Sequence, residues 1–210
     1  MANKTGKGPA FERWLCGELS KWWTGDPNCN DCLFWRTAGS GARATTRAKV
    51  GKETSCHHGD ILAVDERGKP LTNLLCIELK RGYNRATIQD LIDRPAAAKI
   101  QTYEGWIGKL RSTAKQSGRP YWLLIVKRDR REALMLLPWY LHAFLAPEIT
   151  DAFQVAHLCY LDKNANPCHV AVARLNQWLN RVKPTRILEA LQRYYRDGEV
   201  FGNNVSTVHL

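Results

Sequence analysis

The chain has no apolar run long enough to cross a bilayer. Its most apolar window, residues 134–147, holds Pro138 and His142 and falls short of the roughly 20 residues a spanning helix needs. The N-terminal stretch MANKTGKGPAFERW is basic but lacks the apolar segment of a secretory signal, so a cytoplasmic protein is expected. No internal repeat and no low-complexity run is present. Acidic residues are in deficit: 20 Asp and Glu stand against 31 Lys and Arg, for a formal net charge of +11. Such an excess points to a polyanionic partner, nucleic acid rather than a membrane. An RNA-binding module with an aromatic RNP-like strand is excluded, because no such strand motif occurs. The seven cysteines (16, 29, 32, 56, 76, 159 and 168) are odd in number, and two lie in apolar sequence. With no signal peptide before them they are expected to be reduced thiols.

What the chain does have is 210 residues, 44% of them hydrophobic and 24% charged. That suffices for one domain with a real core, or a domain plus an appendage. The informative stretch is HHGDILAVDERGKPLTNLLCIELKR, residues 57–81. Two apolar runs, 61–64 and 74–77, each end against charge, and the turn formers 65–70 lie between them. The pattern predicts a strand, a turn and an antiparallel second strand. Asp60 opens the first strand, and Glu78 and Lys80 end the second on one face, two residues apart. The pairing would bring Asp60 opposite Glu78, so that two carboxylates and an ammonium converge.

That set has a chemical use. Mg²⁺ takes oxygen ligands, often only one or two carboxylates plus waters and a substrate phosphate. Held by Asp60 and Glu78, it could polarise a phosphodiester and lower the pKa of a water. Lys80 could orient that water or offset charge growing on the phosphorane. A solvated strand end could carry the same residues, but of the 20 acidic residues Glu78 alone has a Lys two places on.

Around this centre, residues 10–23 have helical periodicity, with Phe11, Trp14, Leu15, Leu19 and Trp22 on one face. Glu12 lies at the edge of that face and Glu18 near its middle. Cys29-x-x-Cys32 has zinc-ligand spacing, with Cys56 and His57 or His58 as further ligands. No second Cys-x-x-Cys exists, and the pair reads as plain thiols near a turn rather than a structural Zn²⁺ site. A short strand, 33–36, leads into the Gly-, Ser- and Thr-rich basic segment 37–49. Arg36, Ser40, Arg43, Arg47 and Lys49 suit a phosphate backbone, as does Arg81 beside Lys80. His57 and His58 either assist near the metal or belong to a plain loop. Helices are predicted at 86–94 and 96–117, strands at 121–126 and 132–137, and a basic turn between those strands. Beyond Pro138 the sequence predicts a helical piece at 139–146, strands at 157–161 and 169–175, and helices at 176–182 and 187–196.

GlyAsp (59–60) followed by IleGluLeuLys (77–80) resembles the signature of the PD-(D/E)XK nuclease superfamily. The Pro of that signature is absent, since His58 and Gly59 precede Asp60. PheGluArg (11–13) and ArgThrAlaGlySerGly (36–41) are similar to the archaeal-type Holliday junction resolvase branch. The resemblance covers about residues 6–137. It implies an α/β, restriction-endonuclease-like fold: a mixed central sheet flanked by helices. Residues 1–137 would be the nuclease core and 138–210 a C-terminal α+β extension. It further implies Mg²⁺-dependent hydrolysis of DNA, with Mn²⁺ as substitute, and a symmetric homodimer acting on branched DNA. Glu12 would support the metal through a water, with Glu18 as the alternative. Ser40 would sit in a loop beside the site; Gln101 resembles a helix Gln near the site in several members, although a solvated Gln suits it equally, and Lys127 resembles a basic residue at a strand end in the resolvases, although such a turn is more often a solvated charge cluster. Two other readings stay open: a sequence-specific restriction-type endonuclease, and a non-catalytic DNA-binding protein on the same fold.

Overall fold

The computed structural model of the chain describes residues 7–30, 32–37, 59–93, 102–146, 154–162 and 164–198. Helix α1, Lys7–Thr24, buries Phe11, Leu15, Cys16 and Leu19 at helical spacing. Trp14, expected on that face, is instead 47% exposed and stacks on Phe11. Ser20 is fully buried on this helix, and its Oγ accepts the Leu33 N–H at 3.3 Å. Cys29 and Cys32, expected as free thiols, are joined as a disulfide just after α1. Sulfurs bonded to each other offer a metal no thiolate; Cys56, His57 and His58 lie outside the described residues.

Strands β1 (Phe34–Arg36) and β2 (Ile61–Ala63) pair antiparallel as a separate two-stranded sheet. The predicted hairpin does not form. Asp65 caps a 3-10 turn, Glu66–Gly68, and its side chain accepts the Arg67 N–H. Helix α2, Lys69–Leu74, follows with Pro70 in its first turn, where the missing N–H costs nothing. Leu71 and Leu74 anchor α2 in the core. Strand β3, Leu75–Arg81, then joins a different sheet from β2.

That sheet has five strands in the order β3-β4-β5-β7-β6, with β4 Tyr121–Lys127, β5 Ala133–Pro138, β6 Val155–Leu161 and β7 Pro167–Arg174. β3 and β4 are parallel and the other neighbours antiparallel, so the sheet is mixed. A parallel pair needs a long crossover, and it contains helix α3, Thr102–Gln116. The helix predicted at 86–94 is only a 3-10 turn, Gln89–Leu91. Every residue of β4 from Tyr121 to Val126 is buried, because both faces of the strand are covered. Leu75, Ile77 and Leu79 pack with α1, and Cys76, Trp122 and Leu124 pack with Tyr103, Ile107 and Leu110 of α3.

Helix α4, Trp139–Leu145, helix α5, Leu175–Arg181, and helix α6, Pro184–Asp197, complete the chain. The boundary expected at residue 138 falls where β5 ends, and the two strands beyond it continue the same sheet. Trp178 and Ile187 from this region sit in one core with Leu15 and Ile77, and the Trp22 indole N–H donates to the Val182 carbonyl at 2.8 Å. The architecture is an α/β mixed sheet flanked by helices, consistent with a restriction-endonuclease-like fold.

Candidate active site

β3 is the outermost strand of the five-stranded sheet, so one of its edges lacks a strand partner there. Asp60 takes the place of one. Its N–H donates to the Ile77 carbonyl at 2.7 Å, and its Oδ2 accepts the Leu79 N–H at 2.7 Å. The Asp60 carbonyl in turn accepts the Thr37 N–H at 2.9 Å, and Thr37 Oγ1 donates to the Gly59 carbonyl at 3.0 Å. Backbone and side chain together lock residue 60 against β3, with no hairpin involved.

Gly59 makes this approach possible. Its φ is +90°, and a Cβ there would lie 2.6 Å from the Ile77 carbonyl oxygen. Gly59→Ala is therefore expected to destabilise the fold by at least about 2 kcal/mol and to lift Asp60 off β3. Urea titration checks the first effect. Cleavage falling at least tenfold at a temperature where the variant remains folded checks the second.

Glu78 and Lys80 project from the same face of β3, and the Lys80 ammonium donates to Glu78 Oε1 at 2.5 Å. Both side chains are about one-fifth exposed, 20% for Lys80 and 24% for Glu78. The Lys80 Nζ also lies 6.0 Å from the centroid of the Trp106 ring on α3. Asp60 is 7% exposed. Burial, reinforced by the negative charge of Glu78, pushes its carboxyl up to about 7; the Leu79 N–H and Lys80 oppose the rise without cancelling it. Glu12 adds a smaller upward push, which places its charge near Asp60. Its Oε2 accepts from Arg36 Nη1 at 3.2 Å.

The structure therefore brings Asp60, Glu78 and Lys80 together, with Glu12 near enough for its charge to act weakly on Asp60. Glu18 lies elsewhere: it pairs with Lys21 at 3.4 Å, is not buried, and lines a cleft with Arg81, Lys127 and Glu132. Arg81 is held by the Asp129 carboxylate at 2.9 Å and by the Lys127 carbonyl at 3.1 Å, and Lys127 donates its ammonium to the Arg131 carbonyl. Arg36 is likewise engaged by Glu12. Ser40, Arg43, Arg47, Lys49 and Gln101 lie outside the described residues. Sequence reasoning gave Thr37 and Trp106 no part in the site, and it quoted Gly59 only as the first half of the Gly-Asp motif, without its close approach to β3.

Among the described residues, no group of three or more His, Cys, Asp and Glu is placed so that it could hold a metal ion. A hard divalent ion does not require one, since Mg²⁺ keeps several waters and takes one or two carboxylates. Asp60 and Glu78 fit that requirement: both are oxygen donors, and the charge of Glu78 opposes the ionisation of Asp60 in a way a cation would relieve. Asp60 Oδ1 takes no hydrogen bond from the described residues, which leaves it available as a donor to metal.

No helix among the described residues is long and apolar enough to cross a membrane. No curated protein and no solved structure matches the chain. A family model does, and its match runs past residue 137 through β6 and β7 into α6. The family is described as "Phage putative PDDEXK endonuclease", the match spans residues 3–189, and the chain belongs to that family.

Proposed function

We propose that the protein is a metal-dependent endonuclease that hydrolyses DNA phosphodiester bonds, with Asp60 and Glu78 holding Mg²⁺ or Mn²⁺ and Glu12 supporting them. The observation that carries this reading is Asp60, buried at the open edge of β3 against Glu78, with Lys80 on the same face. A divalent ion bound there would polarise the phosphodiester and acidify a water. Lys80 supplies three N–H donors beside the carboxylates; its ammonium orients the attacking water and offsets charge growing on the phosphorane oxygens. Trp106 beside the ammonium restricts how far it can swing. Arg36, bound to Glu12, steadies that carboxylate near Asp60. Membership of an endonuclease family supports the reaction class, and the net charge of +11 supports a nucleic-acid substrate.

A preference for branched DNA, and a homodimer that cuts two strands in register, rest on the resemblance of residues 11–13 and 36–41 to junction resolvases. The test is cleavage of labelled four-way junction, flap, single strand and linear duplex with Mg²⁺, Mn²⁺ or EDTA. Divalent-dependent cutting, fastest on the junction, is expected. Discrete cuts in linear duplex at equal rate would make the enzyme restriction-type. DNA bound but uncut in every lane would overturn the enzymatic reading.

A further inference from the structure

The loop that leaves β3, residues 82–86, carries an exposed ring next to the candidate site. Tyr83 is 49% exposed, and its ring meets that of Trp106 close to edge-on, with 4.8 Å between centroids. Trp106 is also the ring that lies 6.0 Å from the Lys80 ammonium. The Tyr83 ring and that ammonium are therefore no more than about 11 Å apart, about three base steps at roughly 3.4 Å each. The loop is held on its other side by the turn between β4 and β5. The Gly82 N–H donates to the Lys127 carbonyl at 3.1 Å. Asn84 Nδ2 donates to Asp129 Oδ2 at 3.0 Å, and the Asp129 N–H donates to Asn84 Oδ1 at 2.8 Å. Asp129 Oδ1 pairs with Arg81 at 2.9 Å. Gly82, at a φ of +87°, lets the chain turn off the strand. Tyr83 thus stands on a loop that is already ordered, which lowers the cost of seating a ligand on its ring.

An exposed tyrosine is ordinary by itself; its surroundings point to a ligand. Tyr83 lines a cleft of about 650 Å³ together with Arg81, Asn84, Arg85, Thr102 and Asp129. Arg85 is exposed, and the Asp129 carboxylate is engaged by Arg81 and Asn84. The turn clamped to this loop carries Arg130 and Arg131, both exposed, so positive charge continues beyond the cleft. Exposed arginines suit a phosphate backbone, and an exposed ring between them and the carboxylates of β3 suits a base. In a paired duplex each base is covered on both faces by its neighbours, so a protein ring stacks only on a base that has left the stack. We propose that Tyr83 stacks on an unpaired base within about three nucleotides of the scissile phosphate, with Arg85 on the adjoining phosphate. This contact would make the enzyme select DNA in which a single strand meets a duplex. The inference rests on the endonuclease reading above and names the feature of DNA that the site selects.

The test is fluorescence anisotropy in EDTA with two labelled DNAs of one sequence, a fork in which single strands meet a duplex and a fully paired duplex, beside cleavage of both in Mg²⁺. Tyr83→Ala is expected to weaken binding to the fork roughly five- to hundredfold and binding to the paired duplex by less than about twofold. Tyr83→Phe, which keeps the ring, is expected to restore the fork affinity. An abasic residue placed in turn at each single-stranded position next to the cut should, at one position, weaken wild type by the same factor and Tyr83→Ala no further. Arg85→Ala is expected to make the salt slope shallower by about 1 between about 50 and 200 mM salt. Circular dichroism confirms folding, and Tyr83→Leu, which keeps an apolar side chain against Trp106 but offers no ring, serves if Tyr83→Ala unfolds. A wild type that cuts DNA, with Tyr83→Ala matching it on the fork or weakened equally on both DNAs, overturns this proposal and leaves the nuclease reading intact. A wild type that cuts neither DNA overturns the nuclease reading and this proposal with it.

Discussion

Lys80→Ala is expected to cut DNA about a thousandfold more slowly in single-turnover assays while its Kd for DNA stays within about threefold of wild type. A thousandfold corresponds to about 4 kcal/mol of transition-state stabilisation, the upper range for one preorganised donor in a water-poor site. Lys80 meets that description: it is one-fifth exposed, bound to Glu78 at 2.5 Å and placed beside Trp106. Removing it leaves Glu78 without its paired cation, so the two carboxylates repel each other more and should take up a divalent ion no less readily. Titration of Tm with Mg²⁺ separates the roles. A midpoint unchanged or lower, together with lost cleavage, identifies Lys80 as acting on the reaction rather than on metal binding. Cleavage within tenfold of wild type would sink the assignment.

Asp60→Asn has a second large expected effect, and on stability it is favourable. The Asp60 carboxyl lies at about 7 in the folded chain, against an ordinary value of 3.8, with burial the main cause and Glu78 the next. A raised folded value means the protonated form is the one the fold favours. The associated stability is fully present below pH 4 and is lost as pH rises through 7. At pH 8 the loss amounts to about 4 kcal/mol at most, from a shift of 3.8 to about 7 at 1.36 kcal/mol per unit. Asparagine carries no charge to desolvate and still offers an oxygen to the Leu79 N–H. In EDTA the variant should therefore exceed wild type by about 2–4 kcal/mol at pH 8 and match it near pH 4. Mg²⁺ should close the gap by raising the Tm of wild type but not of Asp60→Asn, because it selects the ionised carboxylate. Chemical denaturation at the two pH values, with and without Mg²⁺, is the measurement. Equal Mg²⁺ shifts in both proteins would remove Asp60 from the metal site.

The residues of the candidate site were legible in the sequence as candidates, but the way they meet was not. Glu78 and Lys80 share a face because a strand repeats every two residues, which needs only local periodicity. Asp60 was placed beside them through a hairpin that does not exist. The segment 69–74 is too short to show a helical period, and Pro70 reads as a turn former as readily as it reads as the first turn of α2. The contact that positions Asp60 is a side-chain oxygen accepting a backbone N–H from β3, and no pattern of apolar residues encodes that. Trp14 failed for a similar reason. Its position on α1 fits the apolar stripe, but the ring stacks on Phe11 of the same helix and is left outside. The strands at 155–161 and 167–174 were visible as elements, whereas their union with β5 spans a separation that local reading does not resolve.

The grip of residue 60 on β3 has a consequence for how this site tolerates change in length. In a hairpin the number of connecting residues sets the register, and one insertion turns every side chain to the wrong face. Here the register of Asp60 is set at its own position, by the Ile77 carbonyl and the Leu79 N–H. The 3-10 turn and α2 between them are anchored separately, through Leu71 and Leu74. The interval from the aspartate to the glutamate is thus free of the arithmetic of strand pairing, and a site of this kind is defined by two hydrogen bonds rather than by a count of residues.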